Sequence, residues 1–438
     1  MSAQTIWSYQ ENFDFRSDIS IHSKFHIALD AHRGDYSRKQ MLSAYQVDPE
    51  GKLRPGTTAL TSMATLFGGH IGSGKSTELR DYVNLFQNSY TVNYIETTKI
   101  LDINNLRFSD LLIALTSELM KTFDENNLSL QPDPIFVKPV LEWFETRITK
   151  VEKFKDIEAE IKTEAKAKGG IPFLVELLAT MTAKIRGGVS YREELRNEMR
   201  NGFTQLLNHF NALINHANDL LQKQSRGPLL FIFDGTDKLS KNEGDTFFNA
   251  DINQLGQIKT NLIVCAPISV LLEAGALAQR FSIMKLPMIK IFERDEQAIK
   301  ENEDVLIELI LKRMPIEHFD SRDTIRYLVR HSGGHVRDLI RLVYACFSRI
   351  DDSQITSRIA ELAVKEVATP YERQIMAGDW EDIIKIDKSL GGEKARTPER
   401  LRLLYDLVLL EYNDYWWRSH PLIRTLPAYK KAALNATV

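Results

Sequence analysis

The sequence predicts an α/β fold with a parallel sheet, because apolar runs of strand length alternate with segments of helical period. Residues 229–233 are uniformly apolar, as in a central parallel strand that is covered on both faces. Residues 62–67 form a second apolar run, and glycines then lead into a helical pattern at residues 74–86. This order of strand, turn and helix is typical of parallel sheets.

The next elements follow from the same patterns, in chain order. Residues 91–97 alternate like a strand, and residues 108–122 have the period of a helix. Between residues 133 and 225 nearly every segment is helical, which predicts an insertion within the α/β core. Strand patterns return at residues 261–266 and, interrupted by a proline, at residues 283–292.

The C-terminal third is predicted to be helical until it ends in a hairpin. Apolar runs at residues 407–412 and 415–418 flank Asn413 and Asp414, a pair typical of tight hairpin turns. Helices followed by a hairpin predict a winged-helix-like module. The predicted segments are therefore an N-terminal segment (1–49), an α/β core (50–295) with a helical insertion (133–225), a helical lid (296–352) and a winged-helix-like C-terminal domain (353–438).

Composition excludes several classes of protein. The 438 residues are 43% apolar and 26% charged, which excludes wholesale disorder. The 56 basic and 59 acidic residues give a formal charge of −3, so the chain is no polycation, although a local basic patch would still allow nucleic-acid binding. Two cysteines exclude a disulfide framework and a four-thiolate zinc site. No leader peptide or membrane-spanning run stands out, so we expect a cytoplasmic protein without a membrane partner.

A phosphate-binding loop is the strongest motif in the chain. Residues 69–76 match the pattern G-x-x-x-x-G-K-[ST] at every defined position. Its glycines let successive N–H groups form a cradle for phosphate oxygens, and the following helix adds its positive end. In this pattern Lys75 reaches the β- and γ-phosphates and the Ser76 hydroxyl coordinates Mg²⁺. The residues expected to bind the nucleotide are Gly69, His70, Ile71, Gly72, Ser73, Gly74, Lys75, Ser76 and Thr77.

An acidic strand end supplies the second half of such a site. The apolar run at residues 229–233 ends in Asp234, which we expect to hold Mg²⁺ beside Ser76. A second acid that polarises the attacking water would normally follow, but the next residue is Gly235. Asp237 is the nearest candidate for this base, and capping of the next helix is its alternative role.

Together these motifs resemble the AAA+ class of ATPases, closest to its STAND and origin-recognition-like branches. The resemblance spans residues 25–425 and includes the sequence Ser332-Gly-Gly-His-Val-Arg-Asp338 and the ending Trp416-Trp-Arg-Ser-His-Pro421. It implies ATP as the nucleotide, a homo-oligomer and an effector protein as partner. Related prokaryotic ATPases act in defence against phage, which implies a similar role here.

The resemblance also implies further site residues. Ser269, after the strand at 261–266, corresponds to the polar sensor near the γ-phosphate. Arg280 corresponds to an arginine finger that enters the neighbouring subunit's site, and Arg337 to the second-sensor arginine of the lid, which would also bind the nucleotide.

Two other functions remain open from the sequence. A DNA-acting ATPase would grip duplex with the winged module, through Arg418 or His420. A low-turnover ATP-binding interaction module is the other, and the missing acid at Gly235 is what motivates it.

Overall fold

The computed structural model describes residues 5–16, 23–124, 130–151, 157, 160–161, 170–188, 192–273, 275–350, 354–393, 395–413 and 416–435. Several stretches of the predicted helical insertion and Asp414 of the predicted turn therefore lie outside the described residues.

The centre of the fold is a five-stranded, all-parallel sheet. Its strands are β1 (Ala64–Gly69), β2 (Thr91–Glu96), β3 (Leu229–Asp234), β4 (Asn261–Pro267) and β5 (Ser282–Lys285). The spatial order is β2-β3-β4-β1-β5, so β4 separates the strand that precedes the phosphate loop from the strand that ends in Asp234. This is an α/β, P-loop NTPase core, as predicted.

One strand is shorter than its sequence pattern. The apolar pattern at residues 283–292 predicts a long strand, whereas β5 ends at Lys285. Pro287 follows closely and has no N–H to donate to a neighbouring strand, so the chain leaves the sheet before it.

Helices form the layers around the sheet and most of the C-terminal half. In chain order they are α1 (Arg38–Ala44), α2 (Lys75–Phe86), α3 (Thr97–Ile100), α4 (Phe108–Asp124), α5 (Pro134–Ile148), α6 (Gly170–Arg186), α7 (Arg192–Asn201), α8 (Phe203–Lys223), α9 (Lys241–Thr246), α10 (Ile252–Leu255), α11 (Ile268–Leu272), α12 (Lys300–Leu311), α13 (Arg322–Ser332), α14 (Val336–Phe347), α15 (Ser357–Glu372), α16 (Asp379–Lys388), α17 (Pro398–Tyr405), α18 (Pro421–Arg424) and α19 (Pro427–Asn435). Short 3₁₀ helices include Ile6–Phe13 and Thr236–Lys238.

The two faces of the sheet pack into different cores. Leu66 of β1 points into the core shared with α4 and the inserted helices, whereas Phe67 points into the core shared with α1 and α2. This alternation is the period of a strand that is covered on both sides.

Helices α12–α14, which fall in the predicted lid and are called the lid below, share a single hydrophobic core with the C-terminal helices. The 3₁₀ helix Ile6–Phe13 adds Ile6 and Phe13 to that core, so the chain's beginning packs against the lid. Because the C-terminal helices pack closely against the lid, a movement of the lid would also displace the C-terminal module.

The two strands of the predicted C-terminal hairpin are present and paired. Strands β6 (Leu409–Glu411) and β7 (Trp417–Ser419) pair antiparallel, and the last ladder pair is Glu411 with Trp417. Tyr412 N–H also donates to the Trp416 carbonyl at 2.8 Å, beyond the last ladder pair. Among the described helices, none has the length and apolar character needed to cross a membrane.

Candidate functional site

The phosphate loop connects β1 to α2 and depends on glycine at two positions. Gly72 and Gly74 have φ values of +87° and +104°, in the left-handed region that favours glycine. A Cβ at Gly72 would lie 2.7 Å from the Nε2 atom of His335, so the loop and the lid are in direct contact there. Gly74 is also the N-cap of α2, so the helix begins with its free N–H groups at the loop.

Arg33, far away in sequence, fixes the back of this loop. Its Nη2 donates to the Ser73 carbonyl at 2.7 Å, and its Nη1 donates to the Pro287 carbonyl at 2.5 Å. The guanidinium is buried, and desolvation lowers the pKa of Arg33. This arginine therefore joins the N-terminal segment, the phosphate loop and the segment after β5.

Lys75 has three acceptors in this structure. Its ammonium donates to the Gly69 carbonyl at 2.9 Å and to the His70 carbonyl at 2.7 Å. Its Nζ also lies 2.7 Å from Oδ2 of Asp237, and both side chains are buried. Asp237 therefore forms an ion pair with the loop lysine, a contact that no sequence pattern predicts.

The end of β3 faces the start of α2. The Ser76 hydroxyl donates to Oδ1 of Asp234 at 3.0 Å, and the Tyr94 hydroxyl donates to Oδ2 at 2.6 Å. Cys265 of β4 places its Sγ 3.4 Å from Oδ1 of the same carboxylate. Burial, then the charges of Asp237 and Asp234, raises the pKa of Cys265, so its thiol stays protonated.

This donor set fits a magnesium ion. Ligand atoms of Asp234, Asp237 and Cys265 lie within 4.8 Å of one another, and the Ser76 hydroxyl adjoins Asp234. Mg²⁺ prefers oxygen ligands and retains several waters, which matches one hydroxyl and one carboxylate at this position. The protonated thiol of Cys265 is a poor ligand for a soft metal, because metal binding requires a thiolate.

A cavity of about 800 Å³ opens in front of the phosphate loop. Its walls come from three parts of the chain: the N-terminal segment, the loop with Asp237, and the lid helix α14. The lining residues are Gln10, Glu11, Asn12, Asp14, Phe15, Arg16, Ser23, Phe25, Gly72, Gly74, Lys75, Ser76, Thr77, Asp237, Lys238, Arg313, Val336, Arg337, Ile340 and Tyr344. The volume is within the usual range of small-molecule sites, ~300–1,000 Å³.

Three aromatic residues, Phe15, Phe25 and Tyr344, also line the cavity. The rings of Phe15 and Tyr344 meet edge to face with centroids 5.7 Å apart. The guanidinium of Arg313 lies 5.3 Å from the centroid of Phe25, and its Nε has no hydrogen-bond partner. Burial lowers the pKa of Arg313 to about 10. The cavity thus combines the phosphate-binding loop with aromatic side chains that could contact a ring.

The lid reaches the loop through a glycine turn that the sequence predicts. Gly333 and Gly334 have φ values of +62° and +78°, and α14 then begins at Val336. The Nε2 atom of the buried His335 lies 2.7 Å from the Ile71 carbonyl. Arg337, the second residue of α14, lines the cavity beside Gly72.

The C-terminal hairpin contacts the loop from the opposite side. The Glu411 N–H donates to Nε2 of His70 at 2.7 Å, and both residues are buried. Burial, then the charges of His335, Lys75 and Lys285, lowers the pKa of His70 well below its ordinary value, so the ring is neutral. Glu411 in turn bonds the ammonium of Lys285 at 2.5 Å.

The remaining predicted site residues lie elsewhere. Arg280 is exposed, and its Nη1 donates to the Asn253 carbonyl at 3.2 Å. Ser269 is buried in α11 and does not line the cavity, whereas Cys265 of β4 lies at Asp234. Arg418 and His420, the residues suggested for DNA contacts, are both buried, with exposed fractions of 9% and 0%.

No protein-family model matches the sequence, and no curated protein matches it. Among solved structures, the chain is similar to the RuvB Holliday junction branch migration motor of Thermotoga maritima, with 14% sequence identity over 91% of this chain and 96% of that chain. The TM-score is 0.35, so the fold assignment rests instead on the strand order and the phosphate loop described above.

Proposed function

We propose that the chain is an ATP-binding and ATP-hydrolysing switch of the AAA+/STAND type. The observation that carries this proposal is the cavity that joins the phosphate loop, the buried Asp237 and Arg337 of the lid. The phosphates would bind the loop N–H groups and Lys75, and the base would lie among Phe15, Phe25 and Tyr344.

Binding would change the partner of Lys75. Its ammonium now bonds Asp237 and two loop carbonyls, so phosphate oxygens must compete with the carboxylate for it. Once released, Asp237 would be free to accept a proton from the attacking water as the catalytic base. Mg²⁺, held by Ser76 and Asp234, would neutralise the developing phosphate charge.

The lid would transmit the state of the site. Arg337 would contact the phosphates, and the adjacent His335 already touches the Ile71 carbonyl. In a homo-oligomer, the exposed Arg280 would serve as an arginine finger for the neighbouring subunit. We place the boundary between core and lid near residue 296, and that between lid and C-terminal module near residue 353.

The output would be control of an effector protein, in prokaryotic antiphage defence. This part of the proposal rests on the resemblance of the phosphate loop and the C-terminal motif to ATPases of that kind. The coupling path would be the contact of the hairpin residue Glu411 with His70 of the loop. A phage challenge of cells that carry wild type or Lys75→Ala tests it, and equal protection by both would contradict it.

One observation favours a second function, a low-turnover ATP-binding module. Gly235 has a φ of +89°, and a Cβ there would lie 2.9 Å from Cγ2 of Thr98, so the backbone excludes an acid directly after Asp234. If Asp237 stays paired with Lys75 when nucleotide binds, the site would bind ATP without hydrolysing it.

ATP turnover of the purified chain separates the two functions. We expect turnover in wild type, its loss in Lys75→Ala, and full turnover in the control Lys39→Ala, which changes an exposed lysine of α1. Particle size with and without ATP–Mg²⁺ then tests assembly. ATP binding without turnover would favour the module, and turnover that survives Lys75→Ala would contradict both.

A further inference from the structure

A second cavity of about 510 Å³ lies between the lid and the C-terminal hairpin. It is separate from the first, and the two share no lining residue. Its charged walls hold five cations against two carboxylates, namely Arg330, Lys365, Arg418, Arg424 and Lys430 against Glu296 and Glu361. Arg330 also pairs with Glu303 and Arg424 with Asp387, and the small excess of positive charge that is left in this concave site favours an anionic ligand.

Two of these guanidinium groups converge on one carboxylate. Arg418 forms an ion pair with Oε1 of Glu296, and Nη1 of Arg424 lies 3.4 Å from the same oxygen. Arg418 is only 9% exposed, and its guanidinium lies against the rings of Trp416 and Phe292, at 5.7 and 6.0 Å from their centroids. Arginines held against aromatic rings are rigid, so this pair forms a fixed binding element.

Two further contacts hold the Arg424 side chain in place. Its Nε donates to the Ser419 hydroxyl at 2.9 Å, and its Nη2 lies 3.3 Å from Asp387. Burial, together with the charge of Arg424, lowers the pKa of Arg418 to about 10. The two cations therefore repel each other, and an anion between them relieves that repulsion.

Glu296 is attached to the protein less firmly than the arginines it contacts. Its side chain is 68% exposed, and its φ of +69° is in the left-handed region that non-glycine residues rarely adopt. It occupies a turn closed by the bond from the Glu293 N–H to the Gln297 carbonyl. A carboxylate on an exposed turn is easily displaced by a competing anion.

We propose that this cavity binds a small phosphorylated ligand, whose phosphate replaces the Glu296 carboxylate between Arg418 and Arg424. A phosphate monoester carries up to two charges and three acceptor oxygens, so it can bond both guanidinium groups at once. The cavity is larger than a phosphate ion, which leaves room for an organic body beside Tyr327.

The position of this site suggests what the ligand would regulate. The Trp416 ring packs on Tyr412 with centroids 5.0 Å apart, and the Tyr412 hydroxyl donates to the Gly333 carbonyl at 2.6 Å. Gly333 begins the turn that carries His335 to the phosphate loop. Regulation of the ATP site by this ligand rests on the proposed function, whereas binding itself does not.

Calorimetric titration of the full chain with AMP and with inorganic phosphate tests the binding. Lys75→Ala in every sample removes binding at the phosphate loop. We expect Arg424→Gln to weaken binding about tenfold or more, and Glu296→Gln to tighten it roughly three- to tenfold, because the competing carboxylate is gone. Glu293→Gln is the control, since that acid pairs with Lys290 in the same turn and does not line the cavity.

The outcomes distinguish an organic phosphate from free phosphate and test whether the cavity binds either. Binding of AMP alone supports an organic phosphate, and equal binding of both probes supports free phosphate. If Glu296→Gln binds neither probe at millimolar concentration, or binds more weakly than its parent, the proposal is wrong. Because Glu296 is exposed, that variant should fold even if Arg424→Gln does not. These binding measurements test the second cavity even if the chain does not hydrolyse ATP.

Discussion

The buried pair of Lys75 and Asp237 gives the sharpest prediction, for the variant Asp237→Asn. The substitution keeps the size of the side chain and an acceptor oxygen but removes the charge that holds the ammonium 2.7 Å away. Lys75 would retain its bonds to the Gly69 and His70 carbonyls. We therefore expect ATP to bind more tightly and hydrolysis to fall.

The magnitude follows from the bond that changes. At 2.7 Å and an effective dielectric of ~20, the Coulomb attraction is about 6 kcal/mol before desolvation is subtracted. In net terms, a hydrogen bond to a charged group contributes ~1.5–3 kcal/mol and a neutral one ~0.5–1.5 kcal/mol. The difference of about 1–2 kcal/mol corresponds to ATP binding that is roughly 5- to 30-fold tighter. Loss of a general base lowers turnover by roughly 10²- to 10⁴-fold.

Two assays on the same preparation test this prediction, namely equilibrium binding of a fluorescent ATP analogue and release of inorganic phosphate. Asp245→Asn is the matched control, because this half-exposed acid pairs with Lys241 outside the cavity. Unchanged turnover in Asp237→Asn would remove Asp237 as the base. Weaker binding would show that the carboxylate does not compete with phosphate for Lys75.

Two further predictions concern contacts of the loop, and a third concerns the exposed Arg280. Gly72→Ala should abolish ATP binding and lower the free energy of unfolding by more than about 1 kcal/mol, because the new Cβ would lie 2.7 Å from His335 Nε2. A binding titration and urea unfolding test this, and normal ATP binding would contradict it. The pKa of the buried His70 is lowered, so below pH ~6.5 the unfolded chain binds a proton at this ring and the folded chain does not. The free energy of unfolding therefore falls as the pH drops below that value, by up to ~1.4 kcal/mol per pH unit. His70→Gln, which keeps an acceptor for the Glu411 N–H, should flatten that part of the urea-unfolding profile, and an unchanged slope would refute the assignment. Arg280→Ala should leave ATP affinity unchanged but lower turnover at protein concentrations that favour assembly, and equal turnover at all concentrations would exclude a finger role.

Local patterns predict the local parts of this molecule. The glycine spacing of residues 69–76 predicts the loop between β1 and α2, and the apolar run before Asp234 predicts β3. The glycine pair before Arg337 likewise predicts the turn into α14. In each case the signal lies within a few residues, since a strand, a turn and a helix start are set by neighbouring side chains.

The walls of the site could not be predicted in this way. Arg33 reaches a carbonyl 254 residues away, and the Glu411 N–H bonds a side chain 341 residues away. Phe15 and Tyr344 meet only because the N-terminal segment packs on the lid. Such contacts depend on tertiary packing, which periodicity does not encode. A partial signal existed for His335, which lies in the same motif as Arg337.

The burial of charged side chains in the C-terminal motif is a feature that the sequence does not reveal. Arginine and histidine in a winged-helix-like module suggest contacts with DNA, yet His420 bonds Asp338 at 3.1 Å inside the lid. Burial alone would raise the pKa of Asp338, but His335 and His420 lower it well below its ordinary value. These residues hold the hairpin against the lid, and sequence cannot distinguish a paired cation from a free one.

The central claim is that the cavity formed by the loop, the lid and the N-terminal segment binds ATP. Calorimetric titration of ATP–Mg²⁺ into wild type and Lys75→Ala tests it most directly. We predict that ATP–Mg²⁺ binds at the phosphate loop of wild type and that affinity there is at least about 100-fold weaker in the variant, since Lys75 bonds the phosphates through charge-assisted hydrogen bonds. Equal affinity in both proteins, or no binding to wild type, would contradict the account.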